Sequence, residues 1–341
     1  MSIFGAGHEV VTSTTKPSSP SLGQLIYCTD TDEYLKYVSY GGSNRWMQAN
    51  LKPNRNILIN GGFDVWQRGT SLSAAGGAYG ADMWREYTDT GSGTQTKDTT
   101  VYAGNNRASY KWTTGGSASN WSIFQFIETS NCLHTANKKV TLSFWAATST
   151  SRVLGAYIYY STSVDAGFGG SFTLIDTLNF NTSTSLQLFN LTVTVPSNAK
   201  TLEVAFGAGT GGTFAAGVTI NITGVQLEIG TAPSEFEFEP YETTLRKCQR
   251  YYYEVIGQRY VLNPGAYTYW LTPTVHPVEM RANPTVVARR SKTGTINEYD
   301  ADGGGVVATI AYGSHTTQQA FFYATSTTRH GLVWWSASAE L

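Results

Sequence analysis

Charge is scarce in this chain. Charged side chains make up 14 % of the 341 residues, and 23 basic against 24 acidic ones leave a formal net charge of −1. A nucleic-acid binder of the electrostatic kind needs a cationic excess to neutralise phosphates, and this balance excludes it. Cysteine is equally sparse. Cys28, Cys132 and Cys248 are odd in number and far apart, which excludes a disulfide framework and any Cys-x-x-Cys zinc pair. The five histidines, His8, His134, His276, His315 and His330, are scattered too. No uninterrupted apolar run reaches the roughly 20 residues of a membrane-spanning helix. Met1 to Val10 carries neither the basic start nor the apolar stretch of a signal peptide, so synthesis and folding in a cytoplasm are expected. Lys and Glu, the usual helix-surface residues, are few.

What is abundant points to strands and turns. There are 35 Gly, 21 Tyr, 15 Phe and 9 Trp, and Ser and Thr are frequent. Thr, Val and the aromatics suit a pleated, half-buried surface, while Gly, Asn and Ser supply tight turns. An all-β protein with many short strands is the expected class. Val140, Leu142 and Phe144 alternate with Thr141, Ser143 and Trp145. Leu191, Val193 and Val195 alternate with Thr192 and Thr194, and Leu202, Val204 and Phe206 with Glu203 and Ala205. Period two places one set on a core face. Ile220 and Ile222 share one parity and Val225, Leu227 and Ile229 the other, so Gly224 between them marks a bulge. A sandwich or jelly roll follows.

Three regions separate. Residues 1–53 hold a polar stretch, Thr12 to Pro20, read as extended, and a small β unit: Gln24 to Tyr27, a turn at Thr29 to Glu33, Tyr34 to Val38 and Arg45 to Met47. That unit is too small to be stable alone and needs a partner or copies of itself. Residues 54–240 are long enough for a complete sandwich. A helix is expected over Tyr241 to Tyr253 (241–253), because Pro240 suits a helix start, Glu242 sits in the first turn, and Leu245, Cys248 and Tyr252 share a face. It reads either as a connector on its own domain or as a helix packing on copies of itself. Residues 254–341 form a second β-sandwich.

Chemical motifs are weak. Gly207-Ala208-Gly209-Thr210-Gly211-Gly212 has dinucleotide-loop spacing but leads to Thr213 and another strand instead of a helix, so it reads as a sheet loop. Asp30, Asp32 and Glu33, and Asp300 with Asp302 before Gly303, read as turn-forming acids without the spacing of a calcium loop. Glu235, Glu237 and Glu239, or Asp64 with Asp82, are the available carboxylates for glycoside hydrolysis. No metal or cofactor is expected. The aromatics are the stronger signal, since Trp and Tyr stack on sugar faces and orient them with a polar tip. The candidates for glycan contact are Tyr267, Tyr269, Trp270, Tyr312, Arg329, His330, Trp334 and Trp335. The last two must point to opposite faces of a strand, so at most one belongs to a core.

Several stretches together resemble phage tail-fibre and virion-fibre proteins. Thr14 to Pro20, Gly23 to Tyr27, Thr29 to Asp32 and Gly42-Ser43-Asn44-Arg45-Trp46 are similar to their small N-terminal β unit. Asn56 to Thr70 and Ala81 to Arg85 resemble the opening of a carbohydrate-binding-module-like jelly roll, and Val140 to Ala147 its central strand. Val225 to Gly230, Phe236-Glu237, Tyr241 and Cys248 to Tyr252 resemble its end and the following helix. Pro277 to Thr285 and Ser338 to Leu341 resemble the terminal β domain. Cys28 departs from the pattern, where an acidic residue is common, and no long shaft is present.

The resemblance implies a stubby homotrimeric fibre without enzymatic activity. Its N-terminal region would dock on a tail, nozzle, baseplate or head protein, and its C-terminal sandwich would be the receptor-binding tip, attaching to a host surface polysaccharide. Multiple copies would add avidity to weak sites. No nucleic acid and no membrane insertion are implied, and the site of residence would be the virion. The rival readings are a head fibre or capsid decoration protein, and a polysaccharide depolymerase.

Overall fold

The computed structural model describes residues 8–49, 53–74, 77–103, 106–208, 212–261, 269–270, 274–289, 300–301, 310–312, 316–320, 322–324 and 330–341. They divide into two compact units, Met1–Glu239 with Leu341, and Pro240–Glu340. Both are built almost entirely of strands, as the composition predicts. Among the described residues, no helix is long and apolar enough to cross a membrane.

The first unit opens with β1 (His8–Val11), β2 (Leu25–Cys28), β3 (Glu33–Tyr40) and β4 (Ser43–Gln48), which form one sheet. Next come β5 (Ser71–Ala74), β6 (Arg85–Tyr87), β7 (Gly93–Asp98), β8 (Ser109–Thr114), β9 (Ala118–Ser119), β10 (Ser122–Ile127) and a single helical turn, α1 (Thr129–Cys132). The chain continues through β11 (Lys139–Thr148), β12 (Arg152–Ser161), β13 (Thr173–Thr182), β14 (Gln187–Thr194), β15 (Thr201–Gly207), β16 (Thr213–Phe214) and β17 (Thr219–Ile229). Two sheets make the sandwich, one ordered β13-β12-β15-β10-β6 and the other β14-β11-β17-β8-β7-β5.

Period-two alternation builds the core between them. Val140, Leu142 and Phe144 on β11 are fully buried, as are Leu202, Val204 and Phe206 on β15. The Phe144 and Phe206 rings meet edge-on at 4.7 Å, joining the two sheets. Phe180 and Trp84 extend this aromatic layer, at 5.0 Å from Phe144 and 6.3 Å from Phe206. The β11–β17 register shifts between Ser143 and Trp145, opposite Gly224. Gly224 has φ +58°, a left-handed conformation that favours glycine, so the parity change in the sequence is a bulge.

The outer faces of the two sheets differ. The six-stranded sheet is covered by its own chain. Tyr40 lies edge-on to Trp145 at 5.8 Å, and Arg45 reaches the Leu188 carbonyl at 3.4 Å. Val11, Ile26, Cys28 and Leu35 pack with Ala232 and Trp46. The partner that the small N-terminal sheet lacks in sequence is therefore the sandwich that follows it. Beside it, buried Glu228 accepts bonds from the Ser234 backbone N–H and hydroxyl, both at 2.7 Å, and from Gln226 at 2.9 Å. The outer face of the five-stranded sheet carries the site described below.

The second unit begins with α2 (Tyr241–Gln249), with Pro240 as N-cap and Glu242 in the first turn. The helix expected to reach Tyr253 stops at Gln249. Tyr252 and Tyr253 instead enter β18 (Tyr252–Val261) and pair with Ser338 and Ala337. A ladder of backbone hydrogen bonds on β-favouring aromatics overrides a marginal helix end. Thr244 and Cys248 are the buried residues of the helix. The remaining strands are β19 (Tyr269–Trp270), β20 (Thr274–Val275), β21 (Thr285–Arg289), β22 (Asp300–Ala301), β23 (Ile310–Tyr312), β24 (Gln319–Ala320), β25 (Phe322–Ala324) and β26 (His330–Ser338). One sheet is ordered β18-β26-β21 with β22 also on β26, another is β19-β25-β23, and β20 pairs with β24.

Candidate functional site

Three adjacent strands of the five-stranded sheet build a groove. On β15 the even positions point into the core, so Glu203, Ala205 and Gly207 point out. Their cross-strand partners are Phe126, Phe124 and Ser122 on β10, and Tyr159, Tyr157 and Gly155 on β12. Ala205 and Gly207 keep the middle strand low, and large rings stand on both sides of Glu203 and Ala205. A trough with aromatic walls results from register alone. Its volume is about 390 Å³, within the usual range for small-molecule clefts of about 300–1,000 Å³.

A loop closes one rim. The β12–β13 connection carries Phe168 and Phe172, and Phe172 stacks on Phe126 at 5.3 Å. Phe168 lies parallel to Phe124 at 6.2 Å. It is 49 % exposed and also receives the Arg85 guanidinium, 3.7 Å above its ring. The loop is anchored at its base. Asp165 accepts the Thr129 N–H at 2.9 Å, and the Ala166 N–H donates to the Thr201 hydroxyl at 3.1 Å. Gly167, Gly169 and Gly170 flank Phe168, and Gly169 has φ +83°.

Tyr87 at the edge of the groove is hydrogen-bonded to Asp89, but three polar groups of the groove are unclaimed by described residues. Glu203 lies between Phe126 and Tyr159, and among the described residues its carboxylate has no hydrogen-bond or ion-pair partner. Burial alone pushes it up to about 7. Burial also pushes up the phenols of Tyr157 and Tyr159, whose rings stack at 6.0 Å. Neither phenol donates to another described residue. The groove thus offers one carboxylate acceptor and two phenolic donor–acceptors amid rings, a set suited to a ligand with apolar faces and hydroxyl edges.

Several of the other carboxylates are occupied in holding the fold. Asp82 accepts the Gln67 N–H at 2.7 Å and pairs with Arg68 at 3.4 Å. Glu237 accepts the backbone N–H groups of Asn54 and Asn56 at 2.6 and 3.0 Å. Burial pushes Asp64 up, against the pull of Lys97 and Arg107. Asp30 accepts both the N–H and hydroxyl of Ser13, Asp32 accepts the Tyr27 hydroxyl, and Glu33 is bonded by Thr231. A cleft of about 660 Å³ runs past these last residues between the N-terminal sheet and the sandwich. Its walls mix acids with Arg55, Lys138 and Lys139, and it reads as a polar seam between packed sheets. Among the described residues no cluster of three metal-ligating side chains occurs. Asp302 and the glycines after it lie outside the described residues.

The aromatics singled out in sequence fall elsewhere, in the second unit. Tyr267 and Arg329 lie outside the described residues. Tyr269 and Trp270 are on β19 and Tyr312 on β23, and both strands pair with β25. His330, Trp334 and Trp335 are on β26. Trp335 is 2 % exposed, with Tyr253 at 5.6 Å and His276 at 5.8 Å. It is a core residue, which removes it from the glycan-contact set, while Trp334 on the opposite face is half-buried. The groove residues were missed because no run of sequence unites them. The available signals were the alternation of Phe124 and Phe126 on one strand and of Tyr157 and Tyr159 on another.

No family model matches the chain, and no curated protein sequence matches it. Solved structures with a similar fold include a carbohydrate-binding module described under "CBM4 structure and function". That module is 17 % identical, with 50 % of this chain and 98 % of that one covered and a TM-score of 0.33. The C-terminal family 22 carbohydrate-binding module of Clostridium thermocellum Xyn10B is 12 % identical over 55 % of this chain and 100 % of that one, with a TM-score of 0.33. The enzymatically active domain of bacteriophage CBA120 tailspike protein 4 is 16 % identical, with 53 % of this chain and 22 % of that one covered and a TM-score of 0.36.

Proposed function

We propose that the first unit is a carbohydrate-binding module whose ligand lies in the aromatic groove of the five-stranded sheet. One observation carries this reading. A Glu203 carboxylate and the Tyr157 and Tyr159 phenols, none of them engaged by other described residues, stand on a trough walled by Phe124, Phe126 and Phe172. A sugar ring presents C–H faces to such walls and hydroxyls to such acceptors. The low charge of the chain suits stacking and neutral hydrogen bonds better than electrostatic capture.

The wider role we propose is that of a virion fibre of a phage, homotrimeric, attached through residues 1–53 and adsorbing to a host surface polysaccharide. Its support is the serial resemblance of motifs in all three regions. The second unit, with Tyr269, Trp270, Tyr312, His330 and Trp334, is proposed as the distal part. Binding without catalysis is favoured over depolymerisation. Glu203 is the one acid among the described residues that line the groove, whereas glycoside hydrolysis needs an acid and a second carboxylate about 5–9.5 Å away.

Affinity electrophoresis of the full chain in gels containing bacterial surface polysaccharides tests the site. Retardation by at least one polysaccharide, lost at least tenfold in Tyr157→Ala and Tyr159→Ala, is expected. Equal retardation of wild type and both variants would remove the groove from the function. New reducing ends after incubation would turn the reading toward an enzyme, and sedimentation as a single chain would remove the trimer.

A further inference from the structure

The groove contains an imbalance. Glu203 is flanked by Phe126 on one side and Tyr159 on the other, and among the described residues no cation pairs with it. Around the groove stand Phe124 and Phe126 on β10, the phenols Tyr157 and Tyr159 on β12, Tyr87 on β6, and Phe168 and Phe172 on the covering loop, with Leu341 packed on the same ring cluster. Among the described residues that line the groove there is no cation, and the neighbouring one is Arg85. It lies opposite Phe124, one row further along, and is stacked between Phe168 at 3.7 Å and Tyr79 at 5.6 Å. Burial is the sole cause that moves the Glu203 carboxyl, with no counter-charge pulling it back.

A carboxylate set among aromatic faces is a cation receptor. The carboxylate supplies a charge-assisted hydrogen bond, and the ring faces supply cation–π attraction, both strengthened where water is excluded. A neutral sugar would satisfy the carboxylate with hydroxyl donors but leave its charge uncompensated. An ammonium on the sugar satisfies both. We propose that the groove selects glycans carrying a free amine, that is, amino sugars without N-acetylation, with the ammonium seated on Glu203 between Phe126 and Tyr159. This rests on the glycan-binding reading and specifies its ligand class.

The test compares three oligosaccharides of equal length on the full chain at pH 7 by isothermal titration calorimetry: β-1,4-linked glucosamine, its fully N-acetylated form, and the β-1,4-glucose oligomer. The glucosamine oligomer should bind at least tenfold more tightly than the other two, and the preference should shrink with added salt. Glu203→Gln should abolish the preference while keeping residual binding of all three, its fold checked by thermal melting. If wild type binds the neutral oligomers as tightly as the amine, the amino-sugar proposal is overturned and the glycan-binding reading stands. If wild type binds none of these oligomers and no surface polysaccharide, both fall. The wild-type comparison decides even if Glu203→Gln fails to fold.

Discussion

Tyr159 lies directly opposite Glu203 across the β12–β15 pairing, and Phe126 lies opposite it on the other side. The carboxylate is enclosed by rings on both flanks, which is why burial pushes it from an ordinary 4.5 to about 7. Burial does the same to Glu86 on the inner face, up to about 7 against a hydrogen bond from Thr88. A carboxyl raised on folding binds its proton more tightly in the native state than in the unfolded chain. Its contribution is fully present below the ordinary value and is lost as pH rises through about 7. Asp98 acts in the opposite sense. Burial opposes its ionisation, but hydrogen bonds from Thr100, Val101 and Asn221 outweigh that and hold it at about 2. Its contribution is lost as pH falls from its ordinary 3.8 toward 2. Thermal stability should therefore peak between about pH 4 and 6 and fall by on the order of 1–3 kcal/mol per raised group by pH 8. Glu203→Gln should remove part of that alkaline loss. A melting temperature that climbs steadily from pH 5 to pH 8 would contradict this account.

Inner and outer faces of the same sheet should separate stability from binding. Phe206 is fully buried against Phe144 and Trp84, so Phe206→Ala should cost about 3–5 kcal/mol of unfolding free energy. Tyr157, half-buried on the outer face, should cost less than about 1.5 kcal/mol when replaced by alanine, while polysaccharide affinity drops at least tenfold. Denaturant melts paired with affinity electrophoresis read both. A Tyr157→Ala protein that unfolds as readily as Phe206→Ala would show that the groove wall is core.

The bulge at Gly224 should be intolerant of a side chain. Its φ of +58° is disfavoured for other residues, and a Cβ there would come within 2.7 Å of Asn106 Nδ2 and 3.1 Å of Trp145. Gly224→Ala should destabilise by about 1–3 kcal/mol. Gly116, with nothing within 4 Å of an added Cβ, serves as control, and Gly116→Ala should stay within about 0.5 kcal/mol. Equal melting curves for the two variants would discard the bulge argument.

All three cysteines are buried, and burial pushes the Cys28 and Cys132 thiols up. Buried, protonated thiols do not attack. An aromatic disulfide reagent at pH 8 should titrate none of them in native protein and all three after denaturation. Rapid labelling of one thiol in the native state would show that its surroundings are open.

Local rules reach a long way into this chain. The all-β class, the core parity of Val140–Phe144 and Leu202–Phe206, the bulge at Gly224 and the opposed fates of Trp334 and Trp335 all follow from alternation and glycine conformation. These depend on neighbours in sequence. The end of the helix at Gln249 does not, because the pull of β26 on Tyr252 and Tyr253 comes from residues more than 80 positions away. The groove belongs to the same kind. Phe126, Tyr159 and Glu203 become neighbours only when three antiparallel strands adopt one register, and the β12–β13 loop that partly roofs them, leaving Phe126 7 % exposed, comes from elsewhere in the chain. Composition and periodicity determined that this protein would be stacked β layers rich in rings. Strand pairing decided which rings would surround the Glu203 carboxylate, because side-chain period two sets the face of a residue but not its partner.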